Sequence, residues 1–96
     1  MKFAFICMGA QQGDEEHAVL QNGRMQIVSV FDVAQACTVA QKLCAQGVGC
    51  IELCGGFGTD GAKRVIEATQ NKIPIGYVTH LPEQEEVYQA AFASES

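Results

Sequence analysis

Glu52, Cys54 and His80 are the side chains whose types and placement could serve a reaction, and a glycine-rich turn follows the first two. They belong to Ile51-Glu52-Leu53-Cys54-Gly55-Gly56-Phe57-Gly58-Thr59-Asp60, an apolar strand with one carboxylate that runs into a turn and then a helix. Such a junction is where α/β proteins hold ligands, because the helix N-terminus presents unpaired N–H groups and glycine lets other atoms approach the backbone. Strand alternation puts Glu52 and Cys54 on one face, about 6 to 7 Å apart. Burial without a partner favours the neutral form of a carboxylate, and a helix N-terminus favours a thiolate. Glu52 is therefore the candidate base, Cys54 the candidate nucleophile, and the amides beyond them a candidate oxyanion site. The bland alternative for Glu52 is a structural ion pair, a backbone cap or an edge open to solvent. For Cys54 it is a small filler before a tight turn.

Gly55, Gly56, Phe57, Gly58 and Thr59, with Gly9 from an earlier turn, are the candidate ligand-binding residues. The loop matches neither G-x-x-x-x-G-K-[ST] nor a full G-x-G-x-x-G fingerprint. Asp60 at the start of the helix would repel a dianion, and Lys63 and Arg64 would have to reach back over a turn to offset it. A carboxylate or neutral carbonyl ligand thus fits better than a nucleotide; the ligand class stays open among carboxylate, carbonyl and phosphate, and no cofactor is named. His80, at the end of a later strand, could approach the same crevice or serve only as a turn residue; His17 is a weaker candidate. Glu52, Cys54 and His80 together lack any recognised metal-ligand spacing.

The elements that must position these residues follow from periodicity. Phe3 to Met8 is apolar without alternation and reads as a strand covered on both faces. Met25 to Phe31, Val48 to Cys54 and Ile75 to Thr79 read as further strands, the last entered by Pro74. Asp32 stands where an N-cap belongs, before a helix with Val33, Ala36, Cys37, Ala40, Leu43 and Cys44 on one stripe and Gly47 as its stop. Thr59 reads as the cap of a second helix, with Ala62, Val65, Ile66 and Thr69 inward and Asn71 as its stop. Pro82 and its glutamates open a third helix, with Val87, Ala90 and Ala91 on one stripe and Tyr88 and Phe92 as an i,i+4 pair elsewhere. Asp14 to Gly23 has two readings: a short helix or irregular crossover, which is favoured, or a hairpin turning at Asn22-Gly23.

Strands alternating with helices predict one α/β domain over residues 1–96, a small three-layer parallel sheet of about four strands. Right-handed crossovers give a reduced flavodoxin-like order of second, first, third and fourth strands, with helices on both faces. The crevice then lies between the ends of the first and third strands, at Met8-Gly9-Ala10 and Cys54-Gly55-Gly56.

Composition narrows the partners. The formal charge is −5, and the six cations (Lys2, Arg24, Lys42, Lys63, Arg64 and Lys72) are scattered along the chain. That argues against nucleic acid and acidic membranes. No apolar run reaches the roughly 20 residues that span a bilayer. Five cysteines, an odd number without C-x-x-C spacing or a secretion signal, predict a reducing, cytoplasmic setting. A sheet of this size in a short chain predicts a homodimer or higher oligomer that covers its edges.

The opening M-K-F-A-F-I, the I-E-L-C-G-G-F-G segment, the G-A-K-R-V-I-E-A helix and the I-P-I-G-Y-V-T strand resemble a family of small uncharacterised bacterial domains of about this length. The resemblance spans nearly the whole chain, and E-L-C-G-G-F-G is its most specific part. It implies a compact α/β domain of unknown function and supplies no reaction. Two functions remain open: a small-molecule binding domain, enzymatic or not, and a self-assembling structural or interaction module. The first requires a concave cavity faced by Glu52; the second fills that surface with Phe57, the Tyr88 and Phe92 region, or a partner subunit.

Overall fold

A computed structural model describes residues 1–93. Its strands are β1 Lys2–Met8, β2 Glu16–Leu20, β3 Met25–Val30, β4 Val48–Leu53 and β5 Ile75–Tyr77. Its helices are α1 Val33–Ala45, α2 Gly58–Ala68 and α3 Glu85–Ala93, with single helical turns at Gln21–Gly23, Gly55–Phe57 and Pro82–Gln84. The sheet has five strands in the order β2-β3-β1-β4-β5, all parallel except β2, which runs antiparallel to β3. The four parallel strands stand in the expected order, and the fold is α/β.

The fifth strand overturns the favoured helix at Asp14 to Gly23. Glu16 to Leu20 pair in register with Ser29 to Met25, and the chain reverses through Gln21, Asn22 and Gly23, all with positive φ (53°, 56° and 90°). Asn and Gly tolerate this backbone, so the Asn22-Gly23 turn prevailed over helix capping by Asp14. Every residue of β2 is exposed, so this stretch had no buried helical stripe to form.

The layers are corrected by the same segment. A helix between the first two parallel strands would have covered one face of the sheet, but that connection is a loop and an edge strand. The remaining crossovers, α1 from β3 to β4 and α2 from β4 to β5, run in one direction and pack against each other on a single face. That face holds the core: Ala4, Ile6, Val28, Val30, Ile51 and Leu53 from the strands against Ala36, Val39, Ala40, Leu43, Ala62 and Val65 from the helices. The opposite face presents Phe3, Phe5 and Cys7 of β1 beside Met25 and Ile27 of β3, with no described helix closing over it as a core.

Local sequence explains how the helices are held. Asp32 Oδ1 accepts from Gln35 N–H at 2.8 Å while Gln35 Oε1 accepts from Phe31 N–H at 2.6 Å, a reciprocal cap on α1. Gly47, at φ 91°, ends the helix and donates to Cys44 O. The buried face of α1 runs through Val39, so Cys37 and Cys44 sit on its flank, half-buried, and Cys37 Sγ donates to Arg64 O of α2. Thr59 does not cap α2: the helix begins at Gly58, its N-cap position is Phe57, and no side chain caps it.

Candidate functional site

β4 delivers Glu52 and Cys54 to the open face of the sheet, and their environments then diverge. Glu52 stands across from Phe5 on β1 and Gly76 on β5. Its carboxylate lies over Gly76, where a Cβ would collide with Oε2, and its Oε1 accepts from the Cys50 thiol at 3.7 Å. No Lys or Arg forms a salt bridge with it among the described residues. Burial, and then the Glu52 charge, push the Cys50 thiol above its ordinary 9.0.

Cys54 ends β4 where the chain leaves the sheet, and its Sγ accepts from Met8 N–H at 3.2 Å. Burial, reinforced by Cys54, raises Cys7, its neighbour on β1, and burial likewise raises Cys37 and Cys44. Gly55–Phe57 forms one helical turn, closed by Phe57 N–H onto Cys54 O. The Phe57 side chain drops into the core beneath the loop, only 6% exposed, and anchors the turn from below. Gly58 then has φ 61° and ψ −173°, a region essentially reserved for glycine, and turns the chain into α2.

Above this loop is a groove of about 910 Å³. Its floor is Met8, Cys54, Gly55 and Gly56; Gly58 and Thr59 of the uncapped α2 end form one side. The β5 exit, Tyr77 to His80, and α3 form the other, through Glu85, Tyr88, Gln89 and Phe92. The His80 ring stacks on Tyr88 with centroids 3.9 Å apart and planes 10° apart, and Tyr88 stacks on Phe92 at 5.9 Å. His80 Nε2 meets Glu85 Oε2 at 2.6 Å, and this hydrogen bond, with a second from Gln89, holds the Glu85 carboxyl below its ordinary 4.5.

The structure thus brings Cys54, Gly55, Gly56, Gly58, Thr59 and His80 to one concavity. Glu52, Gly9 and Phe57 are outside its lining. Gly9, at φ 134°, serves the turn after β1, where its N–H and that of Ala10 both donate to Val30 O. The sequence reading placed the Tyr88 and Phe92 region at this surface only under the self-assembling alternative, and it missed Glu85 and Gln89 beside them. The signal for this wall was the placement of Glu85, Tyr88, Gln89 and Phe92 on one side of a helix whose apolar stripe is elsewhere.

No described lysine or arginine lines the groove, and no three or more His, Cys, Asp or Glu side chains gather as metal ligands among the described residues. No described helix is long and apolar enough to cross a membrane. Neither a curated protein nor a solved structure matches the chain. One family model does, over residues 1–93, nearly the full length on which the resemblance in the sequence rested. The chain belongs to that family, DUF6506, a family of unknown function.

Proposed function

We propose that this chain is a small-molecule binding domain whose site is the groove between the Gly55–Thr59 loop and α3. The observation that carries the reading is the uncapped N-terminus of α2 opening into a cavity whose far wall is the flat His80–Tyr88 stack. Free N–H groups there suit a carbonyl or carboxylate oxygen, and the aromatic wall suits a planar or apolar body beside it. Asp60 in the first turn of α2 and Glu85 in the wall, with no lysine or arginine lining the groove, disfavour a phosphate dianion.

Binding is favoured over catalysis, because Glu52 is turned to the open sheet face and His80 is engaged by Glu85. The five thiols support a reducing, cytoplasmic setting, and the order β3-β1-β4-β5 supports a flavodoxin-like relationship. The second reading, a self-assembling module, is favoured by α3, which buries none of its residues.

Two-dimensional amide NMR, titrated with short aromatic and aliphatic carboxylates, ketones and phosphate esters, tests the reading. Shifts at Gly55, Gly56, Gly58, Thr59 and His80 with a carbonyl or carboxylate compound are expected. Shifts only with phosphate esters overturn the ligand class. Silence at these amides across all the classes overturns the site.

A further inference from the structure

We infer that a second copy of this chain covers the open sheet face with its α3 and receives the first copy's α3 on its own face in return. Three observations carry this, none of which depends on the groove's ligand.

The open face is built to be covered. β1 is apolar on both sides, Phe3, Phe5 and Cys7 alternating with Ala4 and Ile6, the pattern of a strand buried on both faces. The rows extend outward in register, Phe3 beside Met25 and Leu20, and Phe5 beside Ile27 and Ala18. Ile27 is nonetheless 43% exposed, and the segment that would have supplied a helix here is β2 and its loop.

α3 is built to be a cover. Glu85, Tyr88, Gln89 and Phe92 face the groove, so Val87 and Ala90 lie on roughly the opposite side at 3.6 residues per turn. Val87 is 59% exposed, and no residue of the helix is buried. The groove side is tied to its own protomer by the His80–Glu85 bond and the His80–Tyr88 stack, which leaves the Val87 side outward.

A two-fold exchange satisfies both surfaces with one isologous contact, whereas stacking sheet on sheet leaves Val87 bare. Glu83 and Glu86 at the start of α3 disfavour docking beside Glu52, so the stripe settles on the β3 side of the face, over Ile27 and Met25. A nine-residue helix is about 13.5 Å long, and two such contacts remove on the order of 1,000 Å² from water, the lower bound for a specific interface. An interface of that size is in the class of weak, reversible contacts.

Sedimentation velocity of the full chain across the micromolar range is expected to show a monomer–dimer equilibrium. Val87→Glu and Ile27→Glu should each give a monomer with unchanged circular dichroism, because both side chains are exposed in the protomer; Val87→Gln and Ile27→Thr replace either variant that fails to fold. A wild-type monomer at all concentrations overturns the proposal. So does a folded Val87→Glu variant that still dimerises, the result expected of sheet-on-sheet stacking.

Discussion

The carboxylate of Glu52 occupies the space above Gly76 that a Cβ would fill. This relationship explains both residues: an acid in a strand and a glycine in its neighbour are two halves of one packing arrangement. With no cation paired to it among the described residues, Glu52→Gln strands no charge, and its cost should stay within about 0.5 kcal/mol, against the several expected for breaking a buried ion pair. Chemical denaturation of Glu52→Gln checks this. In a double-mutant cycle, Gly76→Ala should stabilise the Glu52→Ala background by about 0.5 to 1 kcal/mol, the ordinary gain over glycine in a strand, and give less in wild type.

The thiols offer a second check. Burial raises Cys7, Cys37, Cys44 and Cys50 above their ordinary 9.0, whereas Cys54 lines the groove. Alkylation of the native protein near pH 8 followed by peptide mapping should label Cys54 first. In Glu52→Gln the charge that helps raise Cys50 is gone, so the alkylation profile of Cys50 should move to lower pH while burial keeps it above its ordinary value.

The loop glycines are not equivalent. Gly58 sits at φ 61°, ψ −173°, so Gly58→Ala should cost about 1 to 3 kcal/mol from backbone strain alone. A Cβ at Gly56 would meet only ordinary contacts, Cys54 Sγ at 3.6 Å and a Met8 methyl at 3.7 Å. Gly56→Ala should therefore melt close to wild type while narrowing the groove floor. Thermal melts of the two variants separate the glycine that shapes the chain from the one that shapes the site.

What the sequence made legible was whatever depended on local periodicity. The four parallel strands and the Asp32 cap follow from residue patterns within one element or one turn, while the strand order, and with it the convergence of Cys54, the loop and His80, follows from the right-handed crossover rule. Glu52 lies outside the groove lining, over Gly76, and alternation gives a side chain's face but not what the neighbouring strand leaves open. At Asp14 to Gly23, two local signals of similar strength competed, and the hairpin prevailed because Glu16 to Leu20 pair with Ser29 to Met25 across the Asn22-Gly23 turn. The missing third layer is a direct consequence of that pairing. The Tyr88 and Phe92 region was foreseen at the groove surface, but its stack on His80 was not, since that depends on how the Pro82–Gln84 turn redirects the chain.

The last prediction concerns how α3 is held at low pH. Glu85 is depressed by its hydrogen bond with His80 first and with Gln89 second, so its folded value lies below the ordinary 4.5. A depressed carboxyl stabilises the folded arrangement fully above its unfolded value and loses that contribution as pH falls through the folded one. Acidification from pH 5 downward should therefore release α3 from the β5 exit while the core, which contains no α3 residue, stays folded. Hydrogen exchange of the α3 amides, corrected for intrinsic rates, should show protection falling below pH 4.5 ahead of β1 and β4. Glu85→Gln removes the titrating group and should flatten that pH dependence. An equally steep loss in Glu85→Gln would mean that another group holds the helix, and the His80–Glu85 bond would no longer account for the wall of the groove.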